Sequence, residues 1–292
     1  MKRLPVAVGR PPVAIAAAIA AVVIVVAVVV VSCGSKEEKA LRETSEKLSE
    51  VRSGQLSMRF VVAPLSAARD TDVGFAIKGR FALATKARGL PDTDLAYTQI
   101  AGPEHETVRV LSDGRAAWIR VGGQAYKLPA QRTERLRRSA EGDGGEGSAG
   151  LDALQIDRWI ADPKSSEGGR IDGAATTRIT GRLRVATALR DLLALGRRAG
   201  TDVGAKPIGD ETAEKLEDAK ENASITVHTG KDDRILRRLV LRASFPLERT
   251  RDLGGSIGRL RGAEVRFSLS LRRVGRPVSI KPPASALPFS AL

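Results

Sequence analysis

Few side chains in this sequence are able to do chemistry. Among 292 residues there are one cysteine, two histidines, two tryptophans, two tyrosines and six phenylalanines. A nucleophilic triad needs a nucleophile and an orienting acid around its histidine, and nothing in the sequence places such groups near His105 or His228. His228 falls on the polar side of an alternating strand, opposite Ile225 and Val227 and beside Thr226. The carboxylates of Asp232-Asp233 and of Asp70 and Asp72 could suggest calcium. Neither pair has the ligand spacing of a calcium loop, and both read as turns. One cysteine excludes a disulfide scaffold and a Cys-based zinc site. The glycine-rich segment Ser139–Gly150 is no phosphate cradle, because no strand enters it and no Lys-Ser/Thr pair follows. The expectation is a non-enzyme, with no catalytic residue, no cofactor and no metal.

The single thiol is placed where it matters. Lys2, Arg3 and Arg10 form a positive start with no acid, and residues 13–31 run apolar in Ala, Val and Ile. Ser32, Cys33, Gly34 and Ser35 follow. A positive segment, an apolar run and small residues at its end make an export signal. The run is also long enough to span a bilayer, so an uncleaved anchor is the alternative. Val30-Val31-Ser32-Cys33 resembles the bacterial lipobox, with Val30 where Leu is commonest and Val31 where a smaller residue is commoner. That resemblance implies a diacylglyceryl group on Cys33 and cleavage before it. Acyl chains then hold the protein to the membrane, each buried methylene contributing roughly 0.8 kcal/mol. The expected organisation is a signal peptide over 1–32 and a polar tether over 33–38. The expected location is the extracytoplasmic face of the cell membrane.

The chain carries 48 Lys+Arg against 34 Asp+Glu, a net charge of +14. Loss of residues 1–32 removes only three of the positive charges and leaves a basic domain. Such a domain gains roughly 1 kcal/mol for each basic residue held near an anionic bilayer. Nucleic acid is not an expected partner, since the chain is exported and shows no recognition motif. The plainer reading is that arginine keeps the domain soluble. The pairs Arg137-Arg138, Arg197-Arg198, Arg237-Arg238 and Arg272-Arg273 are scattered in sequence, which favours it.

The elements behind these residues follow from periodicity. Residues 36–52 read as a helix with Ala40, Leu41, Thr44, Leu48 and Val51 near one stripe. Leu56, Met58, Phe60 and Val62 alternate with Ser57, Arg59 and Val61, and Phe75, Ile77, Phe81 and Leu83 alternate with Ala76, Lys78, Arg80 and Ala82, with Gly79 in the apolar register. Period-two alternation marks strands with one dry face. Shorter strands are expected near 95–101, 107–112, 115–121 and 124–128, joined at Asp113-Gly114 and Gly122-Gly123. Residues 151–161 read as a helix stopped by Asp162-Pro163. A strand over 175–185 follows, then helices over 186–198 and 208–222. Strands over 225–229, 235–245 and 263–274 close the domain, with Lys231-Asp232-Asp233 as a turn. Residues 276–292 read as a poorly ordered, Pro-rich tail, and 139–150 as a flexible loop. Runs of strands joined by short turns mean an antiparallel sheet and an α+β fold.

Two stretches carry a resemblance. One runs from Val110 through Asp113-Gly114, Ala117-Trp118, Gly122-Gly123 and Tyr126 to Pro129. The other is Ile171-Asp172-Gly173 followed by the threonine-rich strand that ends Thr180-Gly181. Together they resemble the LppX/LprG-like actinobacterial lipoproteins, related in fold to the lipoprotein carrier LolA, over residues 39–275. The resemblance implies a curved antiparallel half-barrel, LolA/LolB-like, with helices covering its concave apolar face. It also implies carriage of an acylated lipid or lipoglycan across the envelope by a monomer, with a membrane transporter as a further partner. No cavity residue is fixed by a motif. Alternation alone nominates Phe60, Phe75, Ile77, Phe81, Ile179, Leu183, Leu239 and Phe267 on the sheet. The helices over 151–161 and 187–196 offer Leu154, Trp159, Leu189, Leu192 and Leu193. Packed core and cavity wall both want aliphatic side chains. Two readings therefore stand: a lipid carrier, or a structural, interaction or sensory lipoprotein with a filled core.

Overall fold

The structure is a computed structural model and describes residues 35–66, 72–84, 89–141, 151, 154–198, 208–251 and 261–292. Its first helix, α1 (Lys36–Ser49), opens on a capping box. The Ser35 hydroxyl accepts from the Glu38 amide at 3.1 Å, and the Glu38 carboxylate accepts from the Ser35 amide at 2.9 Å. Both bonds satisfy amides that the first turn leaves without a helical partner. Ala40, Leu41, Thr44 and Leu48, three or four apart, are its buried stripe.

Among the described residues twelve strands form one sheet. They are β1 (Ser53–Pro64), β2 (Val73–Ala82), β3 (Asp92–Ala101), β4 (Glu104–Asp113), β5 (Ala117–Val121), β6 (Gln124–Lys127), β7 (Ile160–Ile171), β8 (Ala174–Leu183), β9 (Glu221–Gly230), β10 (Leu236–Phe245), β11 (Ala263–Arg272) and β12 (Leu287–Pro288). Their order is β12-β6-β5-β4-β3-β2-β1-β11-β10-β9-β8-β7, antiparallel throughout except for the β12–β6 pair. The remaining helices are α2 (Ala130–Glu141), α3 (Ile156–Trp159), α4 (Val185–Arg198) and α5 (Asp210–Ala219). This is the expected α+β class: a large open antiparallel sheet with few helices.

Turn chemistry sets the hairpins. Val121 pairs with Gln124 across Gly122 and Gly123, whose φ values of 56° and 87° are reached cheaply only without a Cβ. Ile171 pairs with Ala174 across Asp172-Gly173, at φ values of 53° and 82°, aspartate being one of the few residues with a Cβ that tolerate the left-handed region. Gly79 answers to space. A Cβ there would lie 1.9 Å from the Asp94 carbonyl oxygen on the neighbouring strand.

Four expectations differ from the structure. The helix over 151–161 shrinks to Ile156–Trp159, and Ile160–Ile171 is a strand. Asp162-Pro163 is not a stop but a bulge, where the β7–β8 pairing shifts between Ala161 and Lys164. Proline is tolerated there because β7 is an edge strand and a bulge leaves an amide unpaired anyway. Helix α2 has no counterpart in the sequence reading, since AQRTERLRRSAE has no broad apolar stripe. It takes in 139–141 of the expected loop, and 142–150 lie outside the described residues. The tail does not hang free. Leu287–Pro288 pairs with Tyr126–Lys127, and the Arg132 guanidinium sits 4.2 Å from the centre of the Phe289 ring. Thr176 is fully buried, and its hydroxyl donates to the Gly169 carbonyl at 3.0 Å. The wide β7–β8 bulge brings that carbonyl over it.

Candidate functional site

Because directly opposed residues in antiparallel strands share a face, the register defines the dry side of the sheet. One rung runs Ile179, Val227, Leu239, Leu269, Met58, Ile77, Tyr97 and Val108 across eight neighbouring strands. The next contains Ile225, Leu241, Phe267, Phe60 and Phe75. Aromatic rings step along this face. Phe60 and Phe75 lie 5.8 Å apart, Phe75 and Tyr97 6.3 Å, and Trp159 meets Phe267 edge-on at 6.4 Å.

The structure brings the nominated residues together. Phe60, Phe75, Phe81, Leu154, Trp159, Ile179, Leu183, Leu189, Leu192, Leu239 and Phe267 join one cluster, each no more than 4% exposed. Ile77 is half-buried and packs against it. Leu193 is equally buried but stands outside the cluster. Leu154 precedes α3 rather than lying on a helix, and Trp159 ends it. Cys33, the expected lipidation site, lies outside the described residues.

Sequence reasoning missed the extent of this face. Beyond Tyr97 it continues through Leu95, Val110, Ile119 and Tyr126, which oppose one another in turn across β3, β4, β5 and β6. Each is only half-buried, whereas their counterparts from β8 to β1 are almost all buried. Alternation in the short strands could have flagged them, but it could not say that the rungs join.

Polar bonds hold the helices to one another. Ser45 donates to Asp157 at 2.7 Å and ties α1 to α3. The Trp159 indole donates to Asp191 at 2.7 Å and ties α3 to α4. Glu217 accepts from the Ala186 amide at 2.9 Å, which ties α5 to the start of α4. Between α1 and the sheet, polar contacts are few. The Thr44 and Thr229 hydroxyls meet at 2.8 Å, and Arg234, in the β9–β10 turn, donates to Glu43 at 3.2 Å. The rest of the cluster is apolar on both sides.

The outer face differs sharply. Arg80 and Arg109 both donate to Asp94, which is buried between them. The Arg109 hydrogen bonds, then those of Arg80, hold its carboxyl below the usual range against the opposing effect of burial. His228 lies between Arg178 and Arg238 in register. Burial and those two cations depress its pKa. An imidazole beside two guanidiniums has the reverse of a triad's electrostatics. Among the described residues no group of three or more His, Cys, Asp or Glu could hold a metal ion, and no helix is long and apolar enough to cross a membrane.

Fold and site together define a class: an open antiparallel sheet with a helix-covered apolar face and a basic outer one. No protein-family model matches the chain, and no curated protein is similar to it. Solved structures are. LprF from Mycobacterium bovis is similar over 86% of this chain and 98% of that one, at 15% identity and a TM-score of 0.41. The lipoprotein LppX of Mycobacterium tuberculosis is similar over 84% and 97%, at 12% identity and a TM-score of 0.39. A LolA-superfamily protein of Nitrosomonas europaea follows at 10% identity, over 82% and 96%, with a TM-score of 0.21. At such values neither cargo nor partner transfers from those proteins to this one.

Proposed function

We propose that this is a membrane-anchored envelope lipoprotein that takes the acyl chains of a lipid or lipoglycan between its sheet and its helices, and carries or loads that lipid. The observation behind the reading is the dry face that outruns its burial. It passes from an interior of Phe, Leu, Ile and Val onto the half-buried strip of Leu95, Tyr97, Val110 and Ile119. Acyl chains need no hydrogen bonds, only aliphatic contact, so such a face gives them a continuous path from surface to interior. Mutual polar ties between the helices favour the same reading, because parting helix from sheet then breaks mainly apolar contacts. Cys33 is the attachment point on this reading, and residues 1–32 are the signal removed on export. The test is native mass spectrometry of chain produced without acylation. A copurified acyl lipid, displaced by a fluorescent fatty-acid probe, is expected. Bare protein that takes up no probe would leave the second reading, a structural lipoprotein with a filled core. That alternative is favoured by the eleven clustered candidates, already no more than 4% exposed.

A further inference from the structure

The outer face of the sheet gathers cations that the sequence scatters. In one rung the register sets Ser166, Arg178, His228, Arg238, Ser270, Ser57, Lys78, Ala96, Arg109 and Arg120 side by side. Arg59 and Arg242 stand on the same face, a position or two along their strands. Arg59, Lys78, Arg238 and Arg242 are exposed and make no ion pair among the described residues. The acids at the margins are already taken: Asp94 by Arg80 and Arg109, Glu264 by Arg266, and Glu221 by Arg249. The Nε atom of Arg120 is buried without a hydrogen-bond partner among the described residues.

Two clefts open on this face and share Gln55 and Arg80. One, of about 350 Å³, is lined by Ser57, Lys78, Ser270 and Arg272 as well. The other, of about 700 Å³, adds Arg237, Arg273 and Arg276. It also holds Asp172, whose carboxylate accepts from the Arg273 amide at 2.6 Å. Arginines and serines around clefts of this size suit phosphate oxygens.

We propose that this face docks on the anionic phospholipid headgroups of the membrane from which the chain is tethered. Charge complementarity selects the partner, and the start of the described chain selects the geometry. Glu37, at the head of α1, accepts from Ser165 on β7 at 2.7 Å, and Lys36 shares a cleft with Ser165 and Ser166. Ser165 opposes Ile179 on the helix-covered side of this edge, and its neighbour Ser166 begins the basic rung on the other side. Cys33 is two residues before Ser35, a reach of about 7 Å, so an anchor there holds this edge of the sheet at the bilayer. The proposal rests on the reading that the chain works at a membrane surface, and not on its carrying a cargo.

The experiment is vesicle co-sedimentation with a chain beginning at Gly34. That chain keeps the whole core, whose members run from Ala40 to Leu271. Vesicles of phosphatidylcholine with phosphatidylglycerol should bind it, phosphatidylcholine alone should not, and salt should release it. Each basic residue near an anionic surface adds roughly fivefold to partitioning. Arg59→Gln, Lys78→Gln and Arg238→Gln together should weaken binding roughly a hundredfold with an unchanged melting temperature. The same loss of charge elsewhere, as Arg115→Gln, Arg135→Gln and Lys281→Gln, should leave most of it. Equal losses in the two triple variants would overturn the proposal, because net charge and not this face would then bind. No binding to anionic vesicles would overturn it too, as would preference for poly-uridylate or an acidic polysaccharide. Copurified lipid is scored separately. Cargo-free chain that still binds vesicles keeps this proposal, and cargo-bearing chain that does not bind ends it alone.

Discussion

Replacing Leu192 by Trp separates an acyl-binding interior from a filled core. Leu192 is 4% exposed on α4 and belongs to the cluster that includes Leu189, Trp159 and Phe267. If that cluster is closed core, an indole must be forced among packed side chains. Overpacking of this kind costs about 1–3 kcal/mol. A domain of this size loses roughly 2–4 °C of melting temperature per kcal/mol, so the expected drop is roughly 2–12 °C. If the layer parts for an acyl chain, the indole occupies the chain's place. Stability then changes little and lipid is displaced. The carrier reading expects the second result: a melting temperature within about 2 °C of the parent and loss of a fluorescent fatty-acid probe. Leu192→Ala checks the direction, since truncation in a closed core costs about 2–5 kcal/mol, whereas bound lipid would fill the gap. A clear fall in melting temperature for Leu192→Trp, with no probe bound by the parent, would refute the reasoning.

Other outcomes follow from single contacts. Asp94→Asn should cost about 1 kcal/mol at neutral pH, a modest figure because Arg80 and Arg109 are half-exposed. The Asp94 pKa is depressed on folding, so its contribution is complete above about pH 4, the ordinary carboxyl range, and is lost as pH falls through the folded value. Melting curves of parent and variant should therefore converge in acid, and a constant gap would contradict this. Thr44 donates to the Ala40 carbonyl at 2.7 Å, which leaves Thr229 as the donor between the two hydroxyls. Thr44→Val should strand the Thr229 hydroxyl at a cost of about 1–3 kcal/mol. Thr229→Val should cost less, and the double variant less than the sum, in urea titrations. Cys33→Ala should leave an unprocessed precursor held by residues 13–31. Mature protein with an unchanged N-terminus, seen by intact mass, would remove the lipidation reading.

Local signals were legible wherever period and turn chemistry agree. The stripe of Ala40, Leu41, Thr44 and Leu48 gave α1. The alternation in Leu56–Val62 and in Phe75–Leu83 gave β1 and β2, and Gly122-Gly123 gave the β5–β6 hairpin. Where one residue carries two meanings, the reading failed. Asp162-Pro163 ends a helix and also makes an edge bulge, and only the pairing of Ala161 with Arg182 and of Lys164 with Thr180 decides which. Helix α2 and the returning tail were invisible for a related reason, since the tail is held through a parallel pairing with β6 and by Arg132 on Phe289.

What the sequence by itself determined is the list of apolar and basic positions within each strand, because side-chain alternation is a property of the single chain. What only the tertiary structure decided is which of those positions are neighbours. Arg59, Lys78, Arg178 and Arg238 are far apart along the chain and read as diffuse solubilising charge. Strand register places Arg178, Arg238 and Lys78 on one rung of one face, with Arg59 two residues along β1 on the same face. The same register joins Ile179 to Tyr97 across five intervening strands on the other face, through pairings such as that of β1 with β11 between residues more than two hundred apart. Between strands far apart in sequence, register is set by how their apolar faces match across the sheet, and neither strand alone carries that match.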